Sequence, residues 1–181
     1  MNKRLSAIFM ALAIICFSFF AIASSDDDSP AKESGTGGTQ SNNTQPSEDV
    51  FKLTETAVFS KIKVTANEVK RSMGSEYNEP SDGKIFVGVK FTIENTSAEE
   101  QSMSSLLLFE AYADDIKCDY SIGAAMAFDE GTLDGALAAG KKMVGYYAVE
   151  VPKDTKTLSL EVAGSWLSSS KATFVIDVPA A

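Results

Sequence analysis

The chain has 181 residues, of which 44% are hydrophobic and 23% charged, values of an ordinary globular protein with a single core. Acidic residues outnumber basic ones 25 to 16, for a net charge of -9. Without Lys3 and Arg4, which precede an apolar N-terminal run, the rest carries -9 - 2 = -11. So acidic a surface repels phosphate backbones and argues against a nucleic-acid partner. Histidine is absent, which removes the usual general base, the Ser-His and Cys-His nucleophile pairs and the commonest zinc ligand.

In chain order, residues 1–4 are short and basic, and residues 5–23 are apolar apart from Ser6 and Ser18. A basic start before an apolar segment directs the following chain across a membrane, so the protein is expected to be exported. Three endings fit. Ala21-Ile22-Ala23 presents small residues for signal-peptidase cleavage before Ser24. A run of 19 residues also suffices for a retained spanning helix. Cys16 follows Leu12-Ala13-Ile14-Ile15, a lipobox spoiled by the large residue before the cysteine. Cleavage is the ending the small residues favour.

Residues 24–49 contain no Val, Ile, Leu, Met or aromatic side chain, a composition that cannot bury enough apolar area to offset its ordering entropy. They read as a disordered polar linker. The folded domain is therefore expected over residues 50–181.

Within it the hydrophobic period is two. Residues 61–71 read as a strand with Ile62 and Val64 inward and a bulge or change of face at Ala66-Asn67. Ile85, Val87, Val89, Phe91 and Ile93 alternate with Phe86, Gly88, Lys90, Thr92 and Glu94, a long strand with one buried face. Residues 106–112 read as another strand, turned at Asp114-Asp115 into a short return over 117–121. Residues 122–128 suit a short helix, and residues 143–151, 157–162 and 172–178 supply three further strands. The whole predicts an all-β, antiparallel β-sandwich of about seven to eight strands.

Gly83-Lys84-Ile85-Phe86-Val87-Gly88-Val89-Lys90-Phe91-Thr92-Ile93-Glu94-Asn95-Thr96-Ser97 and Leu137-Ala138-Ala139-Gly140-Lys141-Lys142-Met143-Val144-Gly145, with Glu150-Val151-Pro152-Lys153-Asp154 after it, carry a resemblance. They resemble a domain-of-unknown-function family of secreted and membrane-tethered proteins from Gram-positive bacteria. That family is similar to the immunoprotective extracellular proteins, which implies an immunoglobulin-like fold. The family's usual proline before Gly140 is Ala139 here. It carries no established catalytic residues, so the resemblance implies none.

Other motifs weigh little. Gly135 to Lys142 falls one residue short of a phosphate-binding loop, with Lys142 where Ser or Thr should hold magnesium. Asp129-Glu130 with Asp134, and Asp114-Asp115 with Asp119, lack the alternate spacing of a calcium loop and read as solvated acids. Asn42-Asn43-Thr44 and Asn95-Thr96-Ser97 match sequons relevant only to a eukaryotic secretory route. Cys118 is the one cysteine outside the leader and is expected as a small buried hydrophobe. Trp166, in a Ser-rich connection, either folds back over a sheet end or is displayed, the first being commoner.

No catalytic residue, cofactor or metal site is expected. The reading is a non-enzymatic exported module, secreted or attached to the outer face of the membrane, that binds a protein or envelope component. A small carboxylate-dependent hydrolase and a structural spacer are the alternatives. The candidate partner surface is Phe86, Val144, Tyr146, Val175 and Trp166, apolar residues at outward strand positions or in a loop. If covered, by residues 50–59 or by the Trp166 loop, the strand residues form a minor core instead.

Overall fold

The computed structural model describes residues 30–32 and 50–180; the leader of residues 1–23 and most of the linker lie outside them. One sheet contains β1 (Ala31–Lys32), β3 (Thr56–Val58), β4 (Ile62–Ser72), β5 (Lys84–Asn95) and β10 (Lys142–Pro152), in that spatial order. The other has the order β2, β12, β11, β7, β8, formed by β2 (Val50–Phe51), β12 (Lys171–Asp177), β11 (Thr157–Ala163), β7 (Phe109–Ala113) and β8 (Ile116–Cys118). A ribbon of β6 (Gln101–Met103) and β9 (Gly135–Leu137) completes the β structure, with single helical turns α1 (Ser105–Leu108) and α2 (Ile122–Met126). This is the all-β sandwich that the alternation predicts.

Several local expectations hold. The register of β4 on β5 shifts between Ala66 and Glu68, leaving Asn67 as the bulged residue. That extra residue returns Val69 to a position opposite Val89. Asp114 and Asp115 turn β7 into β8 with φ of 44° and 71°, the paired left-handed conformation that a two-residue hairpin needs. The glycine-rich near-match leads from β9 through a turn at Gly140, φ 68°, directly into strand β10, so no helix follows it to hold phosphate.

Three expectations need correction. Leu106 and Leu107 belong to α1 rather than to a strand, and β7 starts only at Phe109. Ala31–Lys32, from the segment read as linker, pairs with β3 and forms the edge of that sheet. The sandwich also contains one parallel pairing, β2 on β12, which brings Phe51 beside Phe174.

The inward faces form one core. Val64, Val87, Val89, Phe91, Ile93, Val149, Leu160 and Phe174 are all fully buried within it. Five aromatic rings run through it in sequence. Phe51 lies 5.2 Å from Phe174, Phe174 meets Phe91 edge-on at 5.5 Å, and Phe91 meets Phe109 edge-on at 5.1 Å. Phe109 then stacks on Tyr147 at 5.0 Å. The series crosses between the sheets at each step from Phe174 to Tyr147.

From Ile85 to Val89 strand β5 is buried on both faces. Phe86, at an outward position, is 1% exposed and forms a second cluster with Ala124, Phe128 and Ala148. Gly88 makes room for it: a Cβ there would stand 2.8 Å from the Phe128 ring. Asn78 fixes α2 in place by donating from Nδ2 to the Gly123 carbonyl at 2.8 Å. The cover is thus α2 with Phe128. Residues 50–59 instead send Phe51, Ala57 and Phe59 into the main core.

The Asn-Thr-Ser end of β5 has a physical reason. Asn95 is fully buried and donates from Nδ2 to the Glu99 and Leu137 carbonyls at 2.7 and 2.9 Å. Its Oδ1 accepts from Ser97 N–H at 2.9 Å and Ser97 Oγ at 2.7 Å. One amide side chain therefore ties the end of β5 to its own loop and to β9, and no glycan can attach to it in the folded state. Asn95→Asp and Asn95→Ala should each cost about 2–4 kcal/mol, since both leave two carbonyls without a donor. Denaturant unfolding checks this, and an Asn95→Asp variant of native stability would refute it. The minor core gives a second expectation: Phe86→Ala should lose about 3–5 kcal/mol, whereas Val144→Ala should lose under ~1 kcal/mol.

Candidate functional site

The outward residues singled out from sequence do not form one surface. Val144, Tyr146 and Ala148 stand on β10 opposite Thr92, Lys90 and Gly88 of β5. Tyr146 is already engaged: its ring stacks on Phe128 at 5.3 Å, and the Lys70 and Lys90 ammonium groups lie 5.5 and 5.4 Å from its centroid. Its hydroxyl donates to Glu68 at 3.2 Å. With Phe86 under α2, this face is a covered minor core bordered by ion pairs, and only Val144 remains substantially exposed. Val175 faces outward too, but on β12 opposite Ser159, in the other sheet. The two-residue period reveals a side chain's face and says nothing of which sheet the strand joins.

Trp166 departs from the covered expectation. It is 65% exposed, and Leu167 beside it 77%, in the connection between β11 and β12. Leu106 and Leu107 on α1 are exposed to 63% and 68%. A groove of about 580 Å³ runs between Lys61, Met103, Trp166 and Leu167. A second, of about 490 Å³, runs between Ser104, Leu107, Leu108 and Trp166. Trp166 and Ser102 line both, so Trp166, Leu167 and Leu107 belong to one apolar end of the sandwich, with Leu106 next to Leu107 on α1. Hydrogen bonds from Thr96 N–H to the Lys61 carbonyl and from Asn95 N–H to the Lys141 carbonyl, both 2.9 Å, hold the neighbouring turns at this end. Sequence reasoning missed the leucines because an unbroken Leu-Leu-Leu run reads as a buried strand.

The opposite end has a groove of about 640 Å³ between Lys84, Cys118, Tyr120, Ile122 and Glu150. Cys118 is free, only half-buried, and packs against the main core, and burial pushes its thiol pKa up. A thiol so placed is a poor nucleophile because little of it is thiolate. Glu150, from the Glu-Val-Pro close of β10, accepts from Ser81 N–H at 3.1 Å and lies 3.6 Å from Lys84.

Four glutamates, Glu110, Glu130, Glu68 and Glu150, are held as anions by their neighbours. Lys171 at hydrogen-bond distance, helped by Lys117, draws Glu110 down to about 2. Lys90 lowers Glu130, Lys70 lowers Glu68, and Ser81 lowers Glu150. None of these is raised, as a carboxylic acid serving as proton donor would be. Two acids of the acidic loops bind the protein itself: Asp134 accepts from Ser105 N–H and Oγ, and Asp114 from the backbone N–H of Lys156 and Thr157. Among the described residues no three His, Cys, Asp or Glu side chains are grouped to hold a metal ion. Nor, among them, is any helix long and apolar enough to cross a membrane.

This two-sheet fold has counterparts. Residues 51–173 match the family described as Domain of unknown function (DUF4352), and the chain belongs to that family. No curated protein matches it. The ycdA protein of Bacillus subtilis, named as a lipoprotein candidate, is 21% identical with a TM-score of 0.54 over 65% of this chain and 36% of its own. This chain thus spans about a third of that protein. The yjhA protein of Bacillus subtilis is 19% identical, TM-score 0.53, over 71% of this chain and 99% of its own. An uncharacterized β-sandwich protein of Clostridium difficile is 16% identical, TM-score 0.50, over 77% of this chain and all of its own. At such identities the likeness is one of fold.

The placement of Cys118 has a measurable consequence. Iodoacetamide at pH 8 should label the Cys118 peptide several-fold more slowly in the folded chain than in denaturant. Equal rates would show that burial does not hold the thiol protonated.

Proposed function

We propose that the protein is a non-enzymatic exported module, acting at or beyond the outer face of the membrane, that binds an envelope component through its Trp166 end. The observation that carries this reading is the exposure of Trp166 and Leu167 with Leu107, and Leu106 beside it, at the end where the chain enters the domain; Ile116 and Ile122 at the opposite groove are exposed as well, but without a tryptophan. Loops at the end of a sandwich are rigidly presented yet free to vary, which is where this architecture usually binds. Export follows from the basic and apolar leader, and the lipoprotein description of a fold relative agrees with it. A carboxylate hydrolase is disfavoured because the shifted carboxylates are all held ionised. A bare spacer has no use for exposed tryptophan and leucine.

Photo-crosslinking side chains placed at positions 107 and 167 in native cells test the proposal, with Lys153, exposed at the other end, as control. Discrete adducts in envelope fractions are expected from the first two positions and not from the third. Uniform labelling from all three, or none from any, would refute it.

A further inference from the structure

We infer that, where the N-terminal apolar run is retained as a membrane span rather than cleaved, the Trp166 end is a lipid-docking surface that seats the domain against the outer leaflet of that phospholipid bilayer. This rests on the reading of that end as the binding surface and names its partner.

The first support is composition. The tip joins Trp166 and Leu167 to Leu106 and Leu107, with Ser102, Ser104, Ser165 and Ser168 among them and Lys61 at the rim. Tryptophan with leucine, set among small polar groups, suits the boundary between headgroups and acyl chains, where one end of the indole is apolar and the other wet.

The second support is the path of the chain. Ala31 pairs with Val58 and Lys32 with Ala57 in antiparallel register. Moving back from Lys32 to Pro30 therefore follows β3 forward, toward the Ser60-Lys61 turn that lines the Trp166 groove. Re-entry after the linker repeats this: Val50 and Phe51 run parallel to Thr173 and Phe174, so their N-terminal side points to the Trp166 connection. The C-terminus leaves at the far end, where Arg71 donates to the Pro179 carbonyl at 2.8 Å. Only residues 24–29 separate the apolar run from Pro30. With that run retained as a span, those residues reach at most about 25 Å. A 12-residue strand such as β5 is itself roughly 40 Å long, so the tether holds the Trp166 end, and not the opposite one, near the bilayer. A few apolar side chains alone bind a membrane weakly and reversibly; combined with a second anchor they keep the domain docked.

The chain contains one tryptophan, so its emission reports on the tip alone. The full chain should be reconstituted through its N-terminal segment into phosphatidylcholine vesicles with brominated acyl chains. Trp166 should lose about half its emission relative to unbrominated vesicles, the depth expected of an interfacial indole. The variant Leu106→Ser, Leu107→Ser, Leu167→Ser keeps the probe and alters only exposed positions, and it should lose most of that quenching. Absence of quenching in the native chain overturns the inference. Equal quenching in the variant also overturns it, because the tether alone would then account for the proximity. Protein adducts from positions 107 and 167 without lipid quenching would remove the bilayer while leaving a binding end. Loss of both signals would remove both readings.

Discussion

The fold depends on an aromatic series that joins the two sheets. Phe51, Phe174, Phe91, Phe109 and Tyr147 touch in order, alternating between the sheets after the first pair. With Cys118 free, the sandwich is held without the inter-sheet disulfide of antibody domains. Aromatic contacts contribute about 0.5–1.5 kcal/mol each beyond simple area burial, and they specify separation and offset where a disulfide would specify a bond. Phe91 has two ring neighbours on the opposite sheet, so β5 must hold its register. The bulge at Asn67 and the buried amide of Asn95 serve that requirement from the side and from the end.

A strand fixed so firmly at the centre leaves its second face to be dealt with. The outward Phe86 would be a liability in a solvated sheet, and α2 with Phe128 removes it from water. Next to that cover, charge takes over: Lys70 and Lys90 bracket Tyr146 and pair with Glu68 and Glu130. These exposed pairs add little stability, but they make a face already occupied by its own side chains. The same holds across the other sheet, where Lys171 sits between Glu110 and Glu161. Both broad faces are therefore finished surfaces, and the apolar residues left open gather at the loop ends.

Alternation made the strands legible, and the bulge as well, because an odd step between Val64 and Val69 has one economical explanation. It could not say what covers an outward aromatic, since the answer lay in a helix of five residues too short to show a helical period. For the same reason the sequence of α1 reads as strand: three leucines carry no phase. Val175 falls in with Phe86 and Tyr146 on alternation alone, because sequence gives a residue's face without its sheet. Trp166 was legible as an anomaly in a serine-rich loop. Its exposure was not, because that depends on Leu106 and Leu107 arriving from a distant part of the chain.

Relatives of this fold retain only 16–21% identity. Such drift is tolerable if the fold's demands are few and local: alternating apolar positions, a bulge, and an asparagine whose amide closes a loop. Each demand falls on strand interiors or on the Asn95 loop, and none falls on Trp166, Leu167, Leu106 or Leu107, whose exposed side chains gain little from the core. Exposed apolar groups carry a standing risk of aggregation without stabilising the sandwich. Their presence at the end where the chain enters the domain is what the proposed docking surface accounts for. A search for function on this fold starts from its loop ends, because the sheets have no unmet requirement of their own.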